Sequence, residues 1–155
     1  MNVNTKNIHQ LLIDRNETLS LVETCTGGAL TEHLTQTPGA SQWYLGTLIP
    51  YCNHLKQQLL NVGLLIEKHG AVSEPTAFAM AQAFNITTNA TYTMAITGIA
   101  GPSGGCPEKP VGTLCIAVAG QSNRQHTYYC QGTRHNIRHQ SVQLALDLLW
   151  RTLND

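Results

Sequence analysis

Apolar positions along the chain change rhythm repeatedly, and each change marks an element. Ile8, Leu11 and Leu12 recur at helical spacing, which predicts a short opening helix over 7–15. Leu19 to Val22 is a brief apolar run of the kind a buried strand shows. It leads into Glu23-Thr-Cys-Thr-Gly-Gly28, after which Ala29, Leu30 and Leu34 resume the helical period until Pro38-Gly39 punctuates it. Trp43 to Tyr51 reads as a strand interrupted by Gly46 and closed by Pro50, and Asn53 as the cap of a helix through Leu60. Leu64 to His69 keeps helical character. Ser73-Glu-Pro-Thr places a capping serine before a first-turn proline and opens a helix through Phe84. Thr91 to Thr97, Val111 to Ala119 and Gln125 to Tyr129 read as strands. Arg134 to Leu153 carries Ile137, Leu144, Ala145, Leu148 and Leu149 in helical register. Strands alternating with helices predict one α/β domain over 1–155, a three-layer α/β/α sandwich around a mostly parallel or mixed sheet.

Composition narrows what such a domain does. Its 155 residues suit one core, and 12% charged residues is low against roughly 25% for typical soluble domains. Lys+Arg and Asp+Glu are both 9, so no electrostatic footprint for coating nucleic acid is present. No apolar stretch approaches the ~18 residues of a membrane span, so neither nucleic acid nor membrane is expected as a partner. Met1 to Gln10 is polar and lacks the pattern of a signal peptide. Five cysteines, an odd number with no Cys-x-x-Cys pair, fit a reducing compartment, and we expect a cytoplasmic protein.

Two segments join a strand end to a glycine-rich turn. In the first, Thr24, Cys25, Thr26, Gly27 and Gly28 stand where the unpaired N–H groups of a helix start converge. Such a turn can present a nucleophile and stabilise an oxyanion with the same amides. The plainer reading is that Thr24 or Thr26 caps the helix. The second, Thr97-Gly98-Ile-Ala-Gly101 through Pro110, follows a buried strand and matches neither a dinucleotide fingerprint nor a P-loop. A rigid loop at a strand's carboxyl end is where open α/β sheets bind ligands. Cys25 is a candidate thiol nucleophile or simply a small buried residue. His135 and His139 share a helix face, but without an accompanying Glu they read as a solvated face, and no metal is expected. Lys56, taken alone, is an ordinary surface lysine.

Taken together, six ordered motifs resemble one family. They are Glu23-Thr-Cys-Thr-Gly-Gly28, Thr37-Pro-Gly-Ala-Ser41, Tyr51-Cys-Asn-x-x-Lys56, His69-Gly-Ala-Val-Ser-Glu-Pro75, Ala95-Ile-Thr-Gly-Ile-Ala-Gly-Pro102 and Pro107-Glu-Lys-Pro-Val-Gly-Thr113. The chain is similar, from about Leu19 to Leu149, to the C-terminal domain family of the competence/damage-inducible protein CinA. Stand-alone members of that family are nicotinamide-nucleotide amidohydrolases. The resemblance implies hydrolysis of nicotinamide mononucleotide to nicotinate mononucleotide and ammonia, a step of pyridine-nucleotide recycling. It also implies no cofactor, a small-molecule nucleotide as substrate, and a homo-oligomer.

The family's catalytic pair, carried over by position, falls on Thr24 as nucleophile and Lys56 as base. A desolvated, neutral lysine can take the proton of an attacking hydroxyl. Amides around Thr26 to Gly28 are expected to hold the oxyanion. We expect Tyr51, Thr97, Gly98 and Gly101 to contact substrate, with Arg134 and Arg138 on its phosphate or ribose. Departures gather around the pair. Thr24 stands where the family has serine, Cys52 replaces a serine, and Gly46-Thr47 and Pro50 stand where an Arg-Gly pair and a Thr are common. Two readings therefore remain open, an active amidohydrolase and a catalytically impaired nucleotide-binding or regulatory member of the same family.

Overall fold

The computed structural model describes residues 5–155; residues 1–4, the start of the polar N-terminal stretch, lie outside the described part. In chain order the elements are α1 (Thr5–Asp14), β1 (Leu19–Glu23), α2 (Ala29–Thr35), a 3-10 turn (Ala40–Gln42), β2 (Tyr44–Leu48), α3 (Asn53–Leu60) and α4 (Gly63–His69). They continue with α5 (Glu74–Thr88), β3 (Tyr92–Gly98), β4 (Thr113–Gly120), β5 (Arg124–Tyr129) and α6 (Arg134–Leu153). The five strands form one mixed sheet in the order β2-β1-β3-β4-β5. β1 runs parallel to both β2 and β3, while β4 is antiparallel to β3 and to β5.

Side-chain size differs between the two faces of this sheet, and the difference sets how closely helices approach. Leu19 and Leu21 of β1, Met94 and Ile96 of β3, and Ile116 and Val118 of β4 point to one side. There they meet Ile8 and Leu12 of α1, Leu30 and Leu34 of α2, and the apolar face of α6. The alternate positions are small. Ala95, Ala117 and Ala119 face α5, whose own Ala77 and Ala81 let its axis lie close to the sheet. Ser20 and Thr93 also face α5. Their hydroxyls stand 2.7 Å apart, with Thr88 and Asn85 of α5 completing the bonds. The result is the three-layer α/β/α arrangement that the alternation of elements implies.

Three local features differ from the pattern-based expectation. The helix from Ser73 runs past Phe84 to Thr88, because Asn85 reaches forward to the Ala90 carbonyl (2.8 Å) and Asn89 closes the turn at φ 51°. The β2 ladder ends at Leu48, so Pro50 and Tyr51 lie beyond the strand. A register shift opposite Leu19 and Ser20 leaves Leu45 as an extra residue in the edge strand. Asn53 is the first residue of α3 and not its cap. Cys52 occupies the capping position with extended backbone and no side-chain bond, which frees the Asn53 amide for another task.

Candidate active site

β1 and β3 are parallel neighbours, so their carboxyl ends emerge at the same edge of the sheet. A cavity of about 190 Å³ opens there, between the two strand ends, the start of α3 and the start of α6. Such a crevice is the usual ligand position in open α/β sheets. Thr24 and Cys25 follow β1 into it, and Thr97 and Gly98 end β3 beside them. Tyr51, Lys56, Ala71, Val72, Ala100 and Arg134 complete the wall.

Thr24 extends the ladder by one residue. Its N–H and its hydroxyl both donate to the Ile96 carbonyl, at 3.2 and 2.9 Å, and the residue is 4% exposed. Lys56 is equally buried. Its Nζ donates to the Tyr51 carbonyl at 3.2 Å and to Asn53 Oδ1 at 3.3 Å. No carboxylate pairs with it, since the ion pairs among the described residues are Arg15–Glu17 and Arg124–Asp155. Burial pulls the Lys56 pKa below the ordinary lysine value, and the nearby Cys52 and Cys25 thiols act in the opposite direction. A neutral amine has two N–H groups and one lone pair. Both N–H groups have acceptors here, which leaves the lone pair as the free position of the nitrogen.

Cys25 is not poised as a thiolate. Burial pushes its thiol up to about 11, against the smaller lowering effects of its own backbone N–H and the Thr24 side chain. It packs against Gly98. A side chain there would place Cβ 3.1 Å from Cys25 Sγ and 3.1 Å from the Thr113 carbonyl, so these neighbours would have to give way by a few tenths of an ångström. Thr97 donates to the Ala71 carbonyl at 2.9 Å and so fixes the Ala71–Val72 wall to the end of β3.

The turn itself is held from behind by Glu23. This carboxylate is fully buried and accepts from the N–H groups of Gly28 (3.0 Å), Leu30 (3.1 Å) and Thr31 (2.8 Å), and from the Thr31 hydroxyl (2.6 Å). It does for α2 what a capping side chain does elsewhere, so neither Thr24 nor Thr26 caps that helix. Helix-start amides and a carboxylate attract each other strongly. The Gly27 N–H is also occupied, by the Thr24 carbonyl at 3.1 Å. Thr26, Gly27 and Gly28 therefore lie behind the cavity wall, and the amides of both glycines already have acceptors. The Thr26 hydroxyl is buried without a partner.

The two arginines take different places. Arg134 lines the cavity, donating from Nη1 to the Gly101 carbonyl and from Nη2 to the Tyr51 hydroxyl, both at 2.8 Å. It ties the loop after β3 to the segment before α3, and Gly101 enters as its support. Arg138, one turn along α6, faces away from the cavity. Its Nε donates to the Cys25 carbonyl (3.2 Å) and its Nη2 to the Thr26 carbonyl (2.8 Å). Ala71, Val72 and Glu23 carry structural roles that sequence patterns left unassigned, and Asn53 holds Lys56 where the pattern predicts a helix cap. All four lie inside the ordered motifs, the one signal that could have found them.

Solved structures share this architecture. The competence or damage-inducible protein of Enterobacter asburiae superposes with a TM-score of 0.92 at 29% identity, covering 96% of this chain and 95% of that one. The competence/damage inducible protein of Agrobacterium tumefaciens gives 0.88 at 33% identity over 97% and 93%. A CinA-like protein of Mycobacterium tuberculosis is 48% identical over 139 residues, 88% of this chain and 32% of its own length. One from Fervidobacterium nodosum is 41% identical over 146 residues, 93% and 36%. The chain thus spans about a third of the length of these curated relatives. The CinA C-terminal domain family matches residues 2–153, and the chain belongs to that family.

Proposed function

We propose that this protein hydrolyses the carboxamide of nicotinamide mononucleotide, giving nicotinate mononucleotide and ammonia, with Thr24 as nucleophile and Lys56 as base. The observation that carries this reading is the meeting of a buried hydroxyl and a buried, carboxylate-free amine in one cavity. The neutral Lys56 amine accepts the Thr24 proton as Oγ1 adds to the amide carbon. The resulting ammonium returns that proton to the leaving nitrogen, ammonia departs, and a threonyl ester remains. Water activated by the same amine then cleaves the ester and frees Thr24. Arg134, at the cavity mouth, holds the substrate phosphate, a role suited to a guanidinium fork. The test is ammonia release from the nucleotide by purified protein. Release absent from a Lys56→Ala control supports the reading, and equal release by both proteins overturns it.

One observation favours a second reading, a catalytically impaired binding or regulatory member of the family. The Thr24 hydroxyl donates to the Ile96 carbonyl, so it must break that bond before Lys56 can receive its proton. Nucleotide binding measured by calorimetry without any turnover would select this alternative.

A further inference from the structure

Arg138 makes no ion pair among the described residues, and two of its five N–H donors are spent on the Thr24 turn. Nε and Nη2 go to the carbonyls of Cys25 and Thr26, and Nη1 has no acceptor among the described residues. Its guanidinium forms one wall of a second groove, of about 210 Å³, between α2 and α6. His33 of α2 and His135 and His139 of α6 line the same groove, above the side chain of Val142. His135 and His139 are four residues apart on one helix and so present their rings to one face.

The charged and polar groups facing this groove are few. Glu32 and His33 come from α2; His135, Arg138 and His139 come from α6. The Glu32 carboxylate is exposed and accepts from the Gln36 side chain at 2.6 Å. The Arg138 Nη1 and an N–H of each imidazole can donate into one concavity, the arrangement that multi-oxygen anions satisfy.

We propose that the α2–α6 groove is a second ligand site, one for a compact oxyanion of the phosphate class, and that Arg138 transmits its occupancy to the Thr24 turn. An anion that engages Nη1 draws the planar guanidinium toward the groove and so shifts the Nε and Nη2 that hold the Cys25 and Thr26 carbonyls. In a trans peptide the C=O and N–H point opposite ways, so moving the Cys25 carbonyl reorients the Thr26 N–H. The groove thereby reaches the nucleophile's own turn from the side opposite the cavity.

Sulfate, a compact tetrahedral oxyanion, is the first probe. Backbone amide spectra of the full chain titrated with sulfate should show saturable shifts at His33, His135 and His139, with shifts at Cys25–Gly27 following the same curve. His135→Gln/His139→Gln replaces exposed groups on a solvated helix face, and it should lose most of the affinity. His33→Gln, on the other helix, should weaken it independently. Inorganic phosphate and a nucleoside monophosphate then separate the sources: a free ion gives shifts with both, whereas a nucleotide site gives them with the second alone. Shifts confined to Lys56, Arg134 and their neighbours, or unchanged binding in both variants, would overturn the proposal.

Discussion

Lys56 Nζ lies 3.3 Å from Asn53 Oδ1, one helical turn earlier on α3. Asn53 is a positioning residue in this arrangement. It accepts one N–H of the amine while the Tyr51 carbonyl accepts another, and the burial that lowers the Lys56 pKa outweighs the opposing effect of the Cys52 and Cys25 thiols, with no carboxylate paired to the amine. Asn53→Asp places a carboxylate at the same distance, and this must favour the ammonium form. In the proposed mechanism the amine is the active form, so activity should rise with pH through the Lys56 pKa. In the wild type that limb falls below the ordinary lysine value of about 10.4. In Asn53→Asp it should move to higher pH, with activity at high pH retained. A merely structural role for Asn53 would lower activity at every pH and leave the limb where it was.

Thr24→Ser keeps the reacting oxygen and removes the methyl that restricts χ1. Amide hydrolysis should hold or rise, because the freed rotamer can leave the Ile96 carbonyl and turn toward Lys56 more easily. Thr24→Ala and Lys56→Ala should each remove most of the activity, on the order of a hundredfold or more. Their combination should be little worse than either, as for residues acting as one unit. A multiplicative double mutant, seen in single-turnover ammonia release, would separate their roles.

Arg134→Ala removes a cation from the cavity mouth together with its bonds to Gly101 and Tyr51. Nucleotide affinity should fall about tenfold to a hundredfold, the scale of one charge-assisted contact. Binding of free nicotinamide, which has no phosphate, should change little. Parallel calorimetric titrations of the two ligands check this. Equal loss for both would place the arginine's effect in the shape of the loop rather than on the phosphate.

Glu23→Gln is nearly isosteric, yet it replaces one of two acceptor oxygens by an NH2 group with two donors. That NH2 faces the amides of Gly28 and Leu30 if it takes the Oε2 position, or that of Thr31 if it takes the Oε1 position, and leaves buried donors unpaired either way. Thermal or urea unfolding should show a loss of about 2–3 kcal/mol. The loss reaches function through the same contacts, since this carboxylate holds the turn that carries Thr24.

Much of this architecture is written in local pattern. Alternating apolar runs, the Ser73-Glu-Pro-Thr start and the long register from Ile137 to Leu149 locate strands and helices, because side-chain period depends only on neighbours along the chain. The ordered motifs bring Thr24 and Lys56 to notice together, although no spacing rule relates them. Other relationships exist only once distant segments meet. That Asn53 serves the Lys56 amine rather than capping α3 depends on Cys52 taking the capping position. Gly27 and Gly28 have the composition of an anion-binding turn, but the buried Glu23 carboxylate reaches the helix amides first. Arg134 and Arg138 look alike in sequence, and one helical turn of α6 sends the first into the cavity and the second to the back of the Thr24 turn. Local sequence determined the elements because backbone preference and period are short-range. Tertiary structure decided which donors and acceptors remained free, because that depends on which partner arrives from elsewhere in the chain.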